Sequence, residues 1–296
     1  MAFKSGFVAI IGKPNVGKSS LVNRLVGEKV SITSPKAQTT RNRIFGIKNG
    51  KDYQIVFVDT PGVQHTQTKL GEYMSQATNS ATTDVDAIVI VLDALRIGQE
   101  DYKIIEKYQN VKCPVYIVVN KIETTNFEKM YPILDKLNGY KFVKKFITTS
   151  AIRGLNIEEL EDDLISVLPE GEPYYPVDEY TDKSVRFMCQ EIIREKALLF
   201  LQEEIPHGIA IEIMTFHDDA NLVKIDANII TESDRHKQII IGKNGDMLKQ
   251  IGRAARIDME KLVGTKIMLD LFVKVRKDWK DDLNALIDLG FNKKDI

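Results

Sequence analysis

Near its amino terminus the chain reads Gly12-Lys13-Pro14-Asn15-Val16-Gly17-Lys18-Ser19. An apolar run, residues 7–11, precedes this stretch, and residues 20–25 follow it with the spacing of a helix. A strand, a glycine loop and a helix in that order form the context that a phosphate-binding P-loop requires. The alternative is a tight turn that only caps a helix, and the fit of both flanking patterns weighs against it.

This P-loop predicts a set of nucleotide contacts. Its glycines let the backbone curl so that N–H groups point at an anion, and the start of the next helix adds further free N–H groups. We expect Lys18 to reach the terminal phosphates and the Ser19 hydroxyl to bind Mg²⁺. The predicted nucleotide-binding residues of this segment are Gly12, Lys13, Asn15, Val16, Gly17, Lys18, Ser19 and Ser20.

Length and composition restrict the class of protein. The chain has 296 residues, enough for two domains, and its 41 Lys and Arg nearly balance 42 Asp and Glu. The total charge therefore says nothing about nucleic acid. Neither the two cysteines nor the four histidines show metal-ligand spacing. Because the sequence has no apolar run near the roughly 20 residues of a membrane span and no signal peptide, we expect a soluble, cytoplasmic monomer.

Residues 5–168 alternate short apolar runs with helical patterns. This alternation predicts an open, mostly parallel α/β sheet with helices on both faces, in which ligands bind at the carboxyl ends of the strands. The predicted strands are 8–11, 55–58, 87–92, 115–119 and 146–149. The predicted helices are 19–26, 69–82, 99–108, 127–137 and 157–168.

A proline-rich segment, residues 169–183, ends this pattern and predicts an extended linker rather than a long internal loop. Residues 184–296 then follow a different order, α-β-β-α-α-β, which predicts a smaller α+β domain. Its predicted helices are 184–204, 233–241, 246–262 and 280–289. Its predicted strands are 209–214, 222–230 and 266–275. The chain is thus predicted to consist of a domain over 1–168, the linker, and a domain over 184–296.

The stretch Asp59-Thr60-Pro61-Gly62 directly follows a predicted strand. The Asp59 carboxylate can hold Mg²⁺ through a water, because Mg²⁺ keeps part of its hydration shell, and the Gly62 amide can face a γ-phosphate. In the loop 34–43, a threonine can complete the magnesium shell only when that phosphate is present, and we favour Thr40 over Thr39. This loop and residues 63–76 are therefore predicted switches. The alternative for the loop is a solvated basic segment.

Asn120-Lys121-Ile122-Glu123 closes another predicted strand and suits a guanine base. Asn120 can bind the N7/O6 edge, Lys121 can lie along the ring, and Glu123 can accept from N1–H and the 2-amino group. Adenine offers no donors to Glu123, so it would leave that carboxylate buried and unpaired. Ser150-Ala151 follows the next strand and adds a backbone amide for the guanine carbonyl. Read alone, each string is equally well a turn.

The P-loop and the three later motifs, at 59–62, 120–123 and 150–151, each follow a predicted strand. Their order along the chain resembles that of a known family. Gly12 to Ser20, Gln38-Thr39-Thr40-Arg41 and Asp59-Thr60-Pro61-Gly62-Val63 are similar to the Era family of GTPases. The resemblance implies GTP hydrolysis to GDP with Mg²⁺, and a K⁺ ion held partly by Asn15 in place of an arginine finger. The implied catalytic residues are Lys18, Thr40, Gly62 and Asn15.

The chain departs from the usual GTPase pattern at two positions. Glu123 stands where the family usually has aspartate. We therefore expect weaker affinity for guanine, with the preference for guanine over other bases unchanged. Val63 stands where many GTPases have a glutamine that orients the attacking water, so slow intrinsic hydrolysis is expected.

The second domain carries Gly242-Lys243-Asn244-Gly245 between two helical stretches. This is the Gly-x-x-Gly loop of a KH domain, which clamps about four single-stranded nucleotides, and the element order is that of the bacterial type. Between 235 and 256 there are six basic residues and one acidic residue; the alternative is an ordinary solvated helix face. Trp279 is predicted either to stack on a base or to pack in a core. The predicted RNA-binding residues are Ile241, Gly242, Lys243, Asn244, Gly245, Lys249, Arg253 and Arg256.

Taken over nearly the whole chain, the resemblance to the Era family implies a ribosome-assembly factor. It implies binding to the 30S subunit and to the single-stranded 3′ end of 16S rRNA, and a peripheral association with the inner face of the membrane. Two other classes compete with this interpretation. One is a passive RNA-binding protein with a vestigial or regulatory nucleotide site, and the other is a P-loop kinase that acts on a small substrate.

Overall fold

In the computed structural model the described residues are 2–63, 67–219 and 221–291, without the side chains of Phe127 and Lys129. The first half of the chain forms a six-stranded sheet in the order β2-β3-β1-β4-β5-β6. All neighbours are parallel except β2 and β3. The strands are β1 Lys4–Ile11, β2 Ile44–Asn49, β3 Tyr53–Asp59, β4 Ala87–Asp93, β5 Val115–Asn120 and β6 Val143–Thr148.

Helices cover both faces of this sheet, as the apolar strands require. The helices are α1 Lys18–Val26, α2 Lys69–Ser80, α3 Gln99–Lys107, α4 Phe127–Leu137 and α5 Ile157–Val167. Leu21 and Leu25 of α1 and Leu160 of α5 pack in one hydrophobic core, and Ile105 of α3 and Leu137 of α4 in another. Every residue of β4 is buried, because both faces of this central strand are covered.

The edge strand β2, which pairs antiparallel with β3, was not predicted from the sequence. Its residues, Ile44-Phe45-Gly46-Ile47-Lys48-Asn49, contain a glycine and two polar residues, which obscure the pattern of a strand. A side chain on Gly46 would approach Val22 of α1 to 2.9 Å, so the helix packs directly on the strand backbone there. Glycine is ordinarily disfavoured inside a strand, and the close packing of α1 explains its presence here.

The second half forms a three-stranded sheet in the order β7-β8-β9, with β7–β8 antiparallel and β8–β9 parallel. The strands are β7 Ala210–Asp219, β8 Leu222–Thr231 and β9 Lys266–Val275. The helices are α6 Val185–Phe200, α7 Asp234–Ile241, α8 Asp246–Val263 and α9 Leu283–Asp288. Residues of α6, α8 and all three strands share one core. The fold class expected from the sequence, an α/β domain followed by a smaller α+β domain, is therefore the one observed.

Three predicted boundaries in this half were wrong. The predicted helix 184–204 ends at Phe200, and a short 3₁₀ turn, Ile205–Gly208, follows it. The strand predicted over 209–214 continues to Asp219, because its outer half pairs with β8 although it is largely polar. The last helix begins at Leu283 instead of residue 280, since Asp282 accepts a hydrogen bond from the Asn284 amide as its N-cap.

The proline-rich segment is extended and lies against the edge of the first sheet. Gln54, which is fully buried, accepts hydrogen bonds from the amides of Tyr174 (2.7 Å) and Tyr175 (3.0 Å). The amide of Ile47 in β2 donates to the Tyr180 carbonyl at 2.8 Å. The segment thus covers a strand edge that would otherwise be unpaired.

Trp279 packs in a core, so of its two predicted roles the packing role is the one observed. It is fully buried and donates from its indole nitrogen to the Gly208 carbonyl at 3.1 Å. The cluster around it contains residues of α2 from the first half and of α9 from the second. Its members are Leu70, Tyr73, Met74, Ala210, Ile230, Trp279, Ala285, Leu286, Leu289 and Phe291. Among the described residues no helix is long and apolar enough to cross a membrane.

Candidate functional site

The loop between β1 and α1 adopts the conformation of a phosphate cradle. Gly12 has a φ of 148° and Gly17 a φ of 97°, values that favour glycine. A side chain on Gly12 would overlap the Val91 carbonyl, and one on Gly17 would overlap the Asn120 amide group. The loop lies at one wall of a cavity of about 720 Å³, and Asn15, Gly17, Lys18, Ser19 and Ser20 line it. Val16 is 2% exposed and packs in the core instead.

Lys18 is buried at the floor of this loop. Its ammonium donates to the carbonyls of Gly12 (3.1 Å) and Lys13 (2.9 Å). Burial lowers the pKa of Lys18 to about 8, against the opposing effect of the Asp59 charge. The Lys13 side chain turns away from the cradle and pairs with Asp101 at 2.6 Å. Lys18 is therefore the cationic side chain that the loop itself presents, and Lys13 offers its backbone.

Three predicted magnesium ligands meet at the amino end of α1. The hydroxyls of Ser19 and Thr40 are 2.7 Å apart, whereas the Thr39 hydroxyl donates to the Lys36 carbonyl at 2.6 Å. Asp59 is fully buried, and neither of its carboxylate oxygens has a hydrogen-bond partner among the described residues. Burial raises its pKa, and the nearby Ser19 hydroxyl and the Lys18 charge oppose this shift. Two hydroxyls and an unpartnered buried carboxylate fit a hard divalent cation such as Mg²⁺.

Gly62 lies directly against the P-loop. A side chain at this position would approach the backbone nitrogen of Pro14 to 2.6 Å, and the next amide, that of Val63, donates to the Gly12 carbonyl at 3.1 Å. The Gly62 backbone is thus positioned by the cradle itself. The predicted switch 63–76 is described only in part, since residues 64–66 lie outside the described residues and its end lies in α2.

The predicted base-reading residues come together at the ends of β5 and β6. Asn120, 2% exposed, donates to the Val16 carbonyl at 3.0 Å and accepts from the Ala151 amide at 3.0 Å. It therefore joins the P-loop to the Ser150-Ala151 turn, whose Ser150 amide donates to the Leu155 carbonyl at 3.3 Å. One carboxylate oxygen of Glu123 is buried and has no partner in the described part of the chain, as a group that reads a donor edge would be.

Two residues at this end, Asp93 and Arg24, were not predicted from the sequence. The Lys121 ammonium donates to the Asn15 carbonyl and pairs with Asp93 at 2.7 Å. Arg24 of α1 donates to the carbonyls of Ala151 (2.9 Å) and Ile152 (2.7 Å). A signal was present for Asp93, since it ends the apolar run of β4 as Asn120 ends that of β5. Nothing in the sequence indicated Arg24, which looks like an ordinary residue of a helix.

The loop that carries Thr39 and Thr40 is held by the second half of the chain. Arg194 of α6 donates to the carbonyls of Thr39 and Gln38, and its guanidinium also pairs with Glu191. Glu195 accepts from the Thr33 amide at 2.9 Å. The predicted switch loop is thus ordered by contacts rather than solvated.

Arg41, 1% exposed, continues this contact. Its guanidinium donates to the Ile209 carbonyl at 2.6 Å and lies 5.8 Å from the centre of the Trp279 ring. Burial lowers the pKa of Arg41 to about 9, and the neighbouring Arg194 charge adds to this effect. Arg41 is therefore part of the interface between the two halves.

The loop Gly242 to Gly245 separates α7 from α8 and is open to solvent. Gly242 has a φ of 73° with a ψ of 177°, and a side chain there would approach the Met247 Cβ to 2.7 Å. Gly245 and Asn244 have φ values of 81° and 55°. Ile241 and both glycines are half-buried, while Asn244 and four basic residues are exposed: Lys243, Lys249, Arg253 and Arg256. This arrangement exposes backbone and positive charge together, as a clamp on a phosphate backbone requires.

Family models match both halves of the chain. Residues 7–121 match a model described as a 50S ribosome-binding GTPase, and residues 204–280 match a KH domain. The two matches contain the P-loop and the Gly-x-x-Gly loop, respectively. They agree with the α/β and α+β domains that the structure shows.

Full-length relatives and solved structures give the same result. GTPase Era of Clostridium botulinum strain Eklund 17B is 47% identical over 294 residues, covering 99% of this chain and 100% of the relative. GTPase Era of Caldicellulosiruptor saccharolyticus is 45% identical over 300 residues, with both chains covered in full.

A crystal structure of Era with MgGDPNP and nucleotides 1506–1542 of 16S ribosomal RNA matches with a TM-score of 0.92 and 38% identity, covering 98% of this chain and 99% of that one. A crystal structure of an Aquifex aeolicus Era variant bound to GDP·AlF₄⁻ matches with the same TM-score, identity and coverage. The chain belongs to the Era family of GTPases.

Proposed function

We propose that this Era-family GTPase is a switch that binds 16S rRNA near its 3′ end, together with the 30S subunit, to assist assembly of the small subunit. One observation carries the proposal: the segments that would sense the γ-phosphate pack directly on the domain that holds the Gly-x-x-Gly loop. Thr39 is bonded to α6, and α2 shares a core with Trp279 and α9. These contacts give a change at the nucleotide site a direct route to the domain that holds the Gly-x-x-Gly loop.

Hydrolysis rests on positioning and electrostatics rather than on covalent chemistry. Lys18 exchanges its two carbonyl partners for phosphate oxygens and brings positive charge to the terminal phosphates. The Gly62 amide donates to the γ-phosphate, whose arrival the loop at Thr40 senses. Ser19, Thr40 and, through water, Asp59 would hold Mg²⁺, which would supply further positive charge against that of the transferring group. Val63 cannot orient a water, so the intrinsic rate is slow.

Asn15 is the proposed K⁺ ligand. It lines the cavity beside Lys18, and a neutral amide oxygen there is a suitable donor for a monovalent cation. Such a cation supplies the charge that an arginine finger supplies in other GTPases. We expect Asn15→Ala to abolish the preference of hydrolysis for K⁺ over Na⁺, measured as turnover in each chloride salt. Unchanged preference in the variant would exclude Asn15 as the ligand.

Guanine selectivity is proposed from the base-reading residues at the ends of β5 and β6. The Asn120 side chain and the Ala151 amide, which are hydrogen-bonded to each other, would face the carbonyl edge, and Glu123 has a buried oxygen, without a partner among the described residues, that would accept from the donor edge. The longer side chain of glutamate shifts this oxygen relative to the usual aspartate. We propose that the site binds GTP and GDP and rejects adenine nucleotides, with Lys121 covering the ring.

The rRNA target is proposed from the relatives together with the charged loop. The relative crystallised with 16S nucleotides 1506–1542 shares 38% identity over nearly the whole chain. In this chain Lys243, Lys249, Arg253 and Arg256 surround the Gly-x-x-Gly loop and would neutralise phosphates of single-stranded RNA. Any membrane contact would be peripheral, either electrostatic or indirect, on the cytoplasmic face of the cell membrane.

Coupling of the two sites follows if GTP and GDP place the loop at Thr39 differently. Arg194 and Arg41 would then transmit the change to α6 and to the start of β7. Linkage requires that RNA raise GTP affinity by the same factor by which GTP raises RNA affinity. Equal RNA affinities of the GTP-analogue and GDP forms would exclude coupling while leaving the GTPase assignment intact.

Turnover of GTP and of ATP, with Mg²⁺ and K⁺, tests the proposal as a whole. It is measured with and without a single-stranded oligonucleotide of the rRNA 3′ end. GTP-only turnover that rises with RNA is the expected result. Turnover indifferent to RNA would remove the coupling, phosphate transfer to an acceptor other than water would indicate a kinase, and absence of turnover would favour a passive RNA-binding protein.

A further inference from the structure

We propose that Asp93 is a positioning residue of the guanine site, which acts through Lys121 to make base recognition and P-loop conformation a single unit. The inference rests on the proposed guanine site and adds to it a residue outside the four sequence elements. Asp93 is the last residue of β4 and lies beside Asn120 in the register of β4 and β5. It is therefore at the carboxyl edge of the sheet, where the ligand is expected to bind.

Both oxygens of the Asp93 carboxylate are used. One accepts from the Leu95 amide at 3.0 Å, which fixes the rotation of the side chain. The other lies 2.7 Å from the Lys121 ammonium. The side chain of Asp93 is 7% exposed and that of Lys121 is 29% exposed, so this ion pair is largely shielded from solvent. A charge-assisted contact at such a site is stronger than a surface ion pair.

The same ammonium donates to the Asn15 carbonyl in the P-loop. The Lys121 ammonium thus bridges the end of β4 and the loop that cradles the phosphates, and the two contacts fix the far end of its side chain. Lys121 and Asn15 both have left-handed backbones, with φ values of 66° and 63°. Residues other than glycine are held in this conformation by their surroundings, and the shared ammonium is one such restraint at each end.

Loss of the Asp93 charge would free the ammonium to turn to solvent. The Asn15 carbonyl would then lose its donor, and the face of the base would lose the ordered stem of Lys121. The effect is expected on any purine that the site accepts, because the stem covers the ring and does not read its edge. Glu123 has the complementary role, since it reads the edge and not the ring.

The test is a double-mutant cycle on nucleotide affinity in the full chain. We expect Asp93→Asn to weaken GDP binding about tenfold, the scale of a lost charge-assisted hydrogen bond. Lys121→Met should weaken it at least as much, and the double variant should bind like Lys121→Met alone. The ratio of GDP to IDP affinity should be unchanged in Asp93→Asn and altered in Glu123→Gln, since inosine lacks the 2-amino group.

Asp163→Asn is the matched control, because Asp163 of α5 pairs with Lys145 of β6 in the same domain and neither residue lines the nucleotide cavity. It should bind GDP like the wild type. Asp93→Ser keeps an acceptor for the Leu95 amide and provides a second variant if Asp93→Asn folds poorly. Losses that add up in the double variant, or a tenfold change confined to GDP and absent with IDP, would overturn the role of Asp93. If the wild type binds ADP as tightly as GDP, it is the proposed guanine site that fails.

Discussion

The nucleotide site and the RNA-binding loop are built in opposite ways. Lys18, Asp59 and Asn120 are at most 6% exposed, and each lies among residues from several strand ends. Lys243, Arg253 and Arg256 are exposed, and they gather around a loop whose shape depends on Gly242. The first site recognises its ligand with a few buried groups in fixed positions. The second presents backbone and charge to a flexible polymer.

This difference has an energetic consequence. A buried polar group that loses its partner costs the full desolvation of that group, so single changes in the nucleotide site are expected to be severe. An exposed cation contributes one neutralised phosphate among several, so single changes on the RNA side are expected to be mild and similar to one another. The loop glycine is the exception, because it determines the backbone rather than a charge.

The largest effect is expected for Asn120→Ala. It removes hydrogen bonds to the Val16 carbonyl and from the Ala151 amide, both at 3.0 Å, and disconnects the base-reading turn from the P-loop. At about 1 kcal/mol or more for each bond and for the lost base contact, GDP affinity should fall about a hundredfold. Calorimetric titration with GDP measures this loss. Asn138→Ala, at an exposed position after α4, is the control, and a loss below tenfold for Asn120→Ala would contradict a rigid site.

The second effect is expected for Gly242→Ala. A Cβ there would approach the Met247 Cβ to 2.7 Å, and the φ of 73° with ψ of 177° is strained for any other residue. We expect RNA affinity to fall at least tenfold with GDP affinity unchanged, because strain of about 1–3 kcal/mol displaces the loop. Gly252→Ala in α8 is the control, since its Cβ comes no nearer than 3.3 Å to Leu271. Equal RNA affinities of the two variants would show that charge alone holds the RNA.

The third effect is a pH dependence of nucleotide binding. Burial lowers the pKa of Lys18 from 10.5 to about 8 in the free protein, and phosphates would raise it again in the complex. Above pH 8 the free protein has lost a proton that the complex holds. GDP affinity should therefore fall as pH rises from 8 to 9, by at most about tenfold. Lys18→Met should bind weakly at all pH values without this slope, and a wild-type slope equal to that of the variant would exclude Lys18 as the titrating group.

The same shift has the opposite sign for stability. The folded-state pKa of Lys18 lies below its unfolded value, so the buried charge reduces the free energy of unfolding below pH 8. As pH rises from about 8 towards 10.5, the folded protein releases this proton first and the penalty is relieved. Between about pH 8 and 10.5, GDP affinity is therefore expected to fall while the contribution of Lys18 to the free energy of unfolding rises. This opposition is expected of a buried charge whose partner is the ligand.

The smallest effects are expected for the exposed cations of α8. Lys249→Ala, Arg253→Ala and Arg256→Ala should each weaken RNA binding about threefold and reduce the slope of log affinity against log salt by about 0.7. Lys261→Ala is the control, because this lysine lies near the carboxyl end of α8, its side chain is 74% exposed and it pairs with Asp258 at 3.5 Å. A single variant that abolished binding would show that this surface also recognises its ligand through one fixed contact.

Much of the first domain could be predicted because its signals are local. β4 and β5 are continuous apolar runs, and the glycines of the P-loop mark the turn between β1 and α1. The prediction failed at β2, whose Gly46 is explained by the packing of Val22 and not by strand propensity. It also failed at the outer half of β7, which is polar and is a strand because it pairs with β8. Pairing and packing between distant segments leave no periodic trace in either one.

The site divides in the same way. Ser19 and Asp59 could be predicted, since their chemistry and their positions at strand ends are visible in the sequence, and the approach of Thr40 to Ser19 follows the order of the elements. Asp93 could have been found by asking which polar residue ends each buried strand. Arg24 and Arg194 could not, because each acts on backbone carbonyls more than a hundred residues away.

The chemistry of the two sites and the order of the elements that carry them could be derived from the residues alone. These features depend on residues that are close in sequence, such as the glycines of a loop, the last residue of a strand and the spacing of charges, so they can be predicted from short stretches of the chain. The contacts that join the two halves became visible in the folded protein. Arg41 is buried against Trp279, Arg194 is hydrogen-bonded to the loop at Thr39, and α2 packs on the last helix. These contacts bring together residues far apart in the chain, and their geometry exists only after both domains have folded.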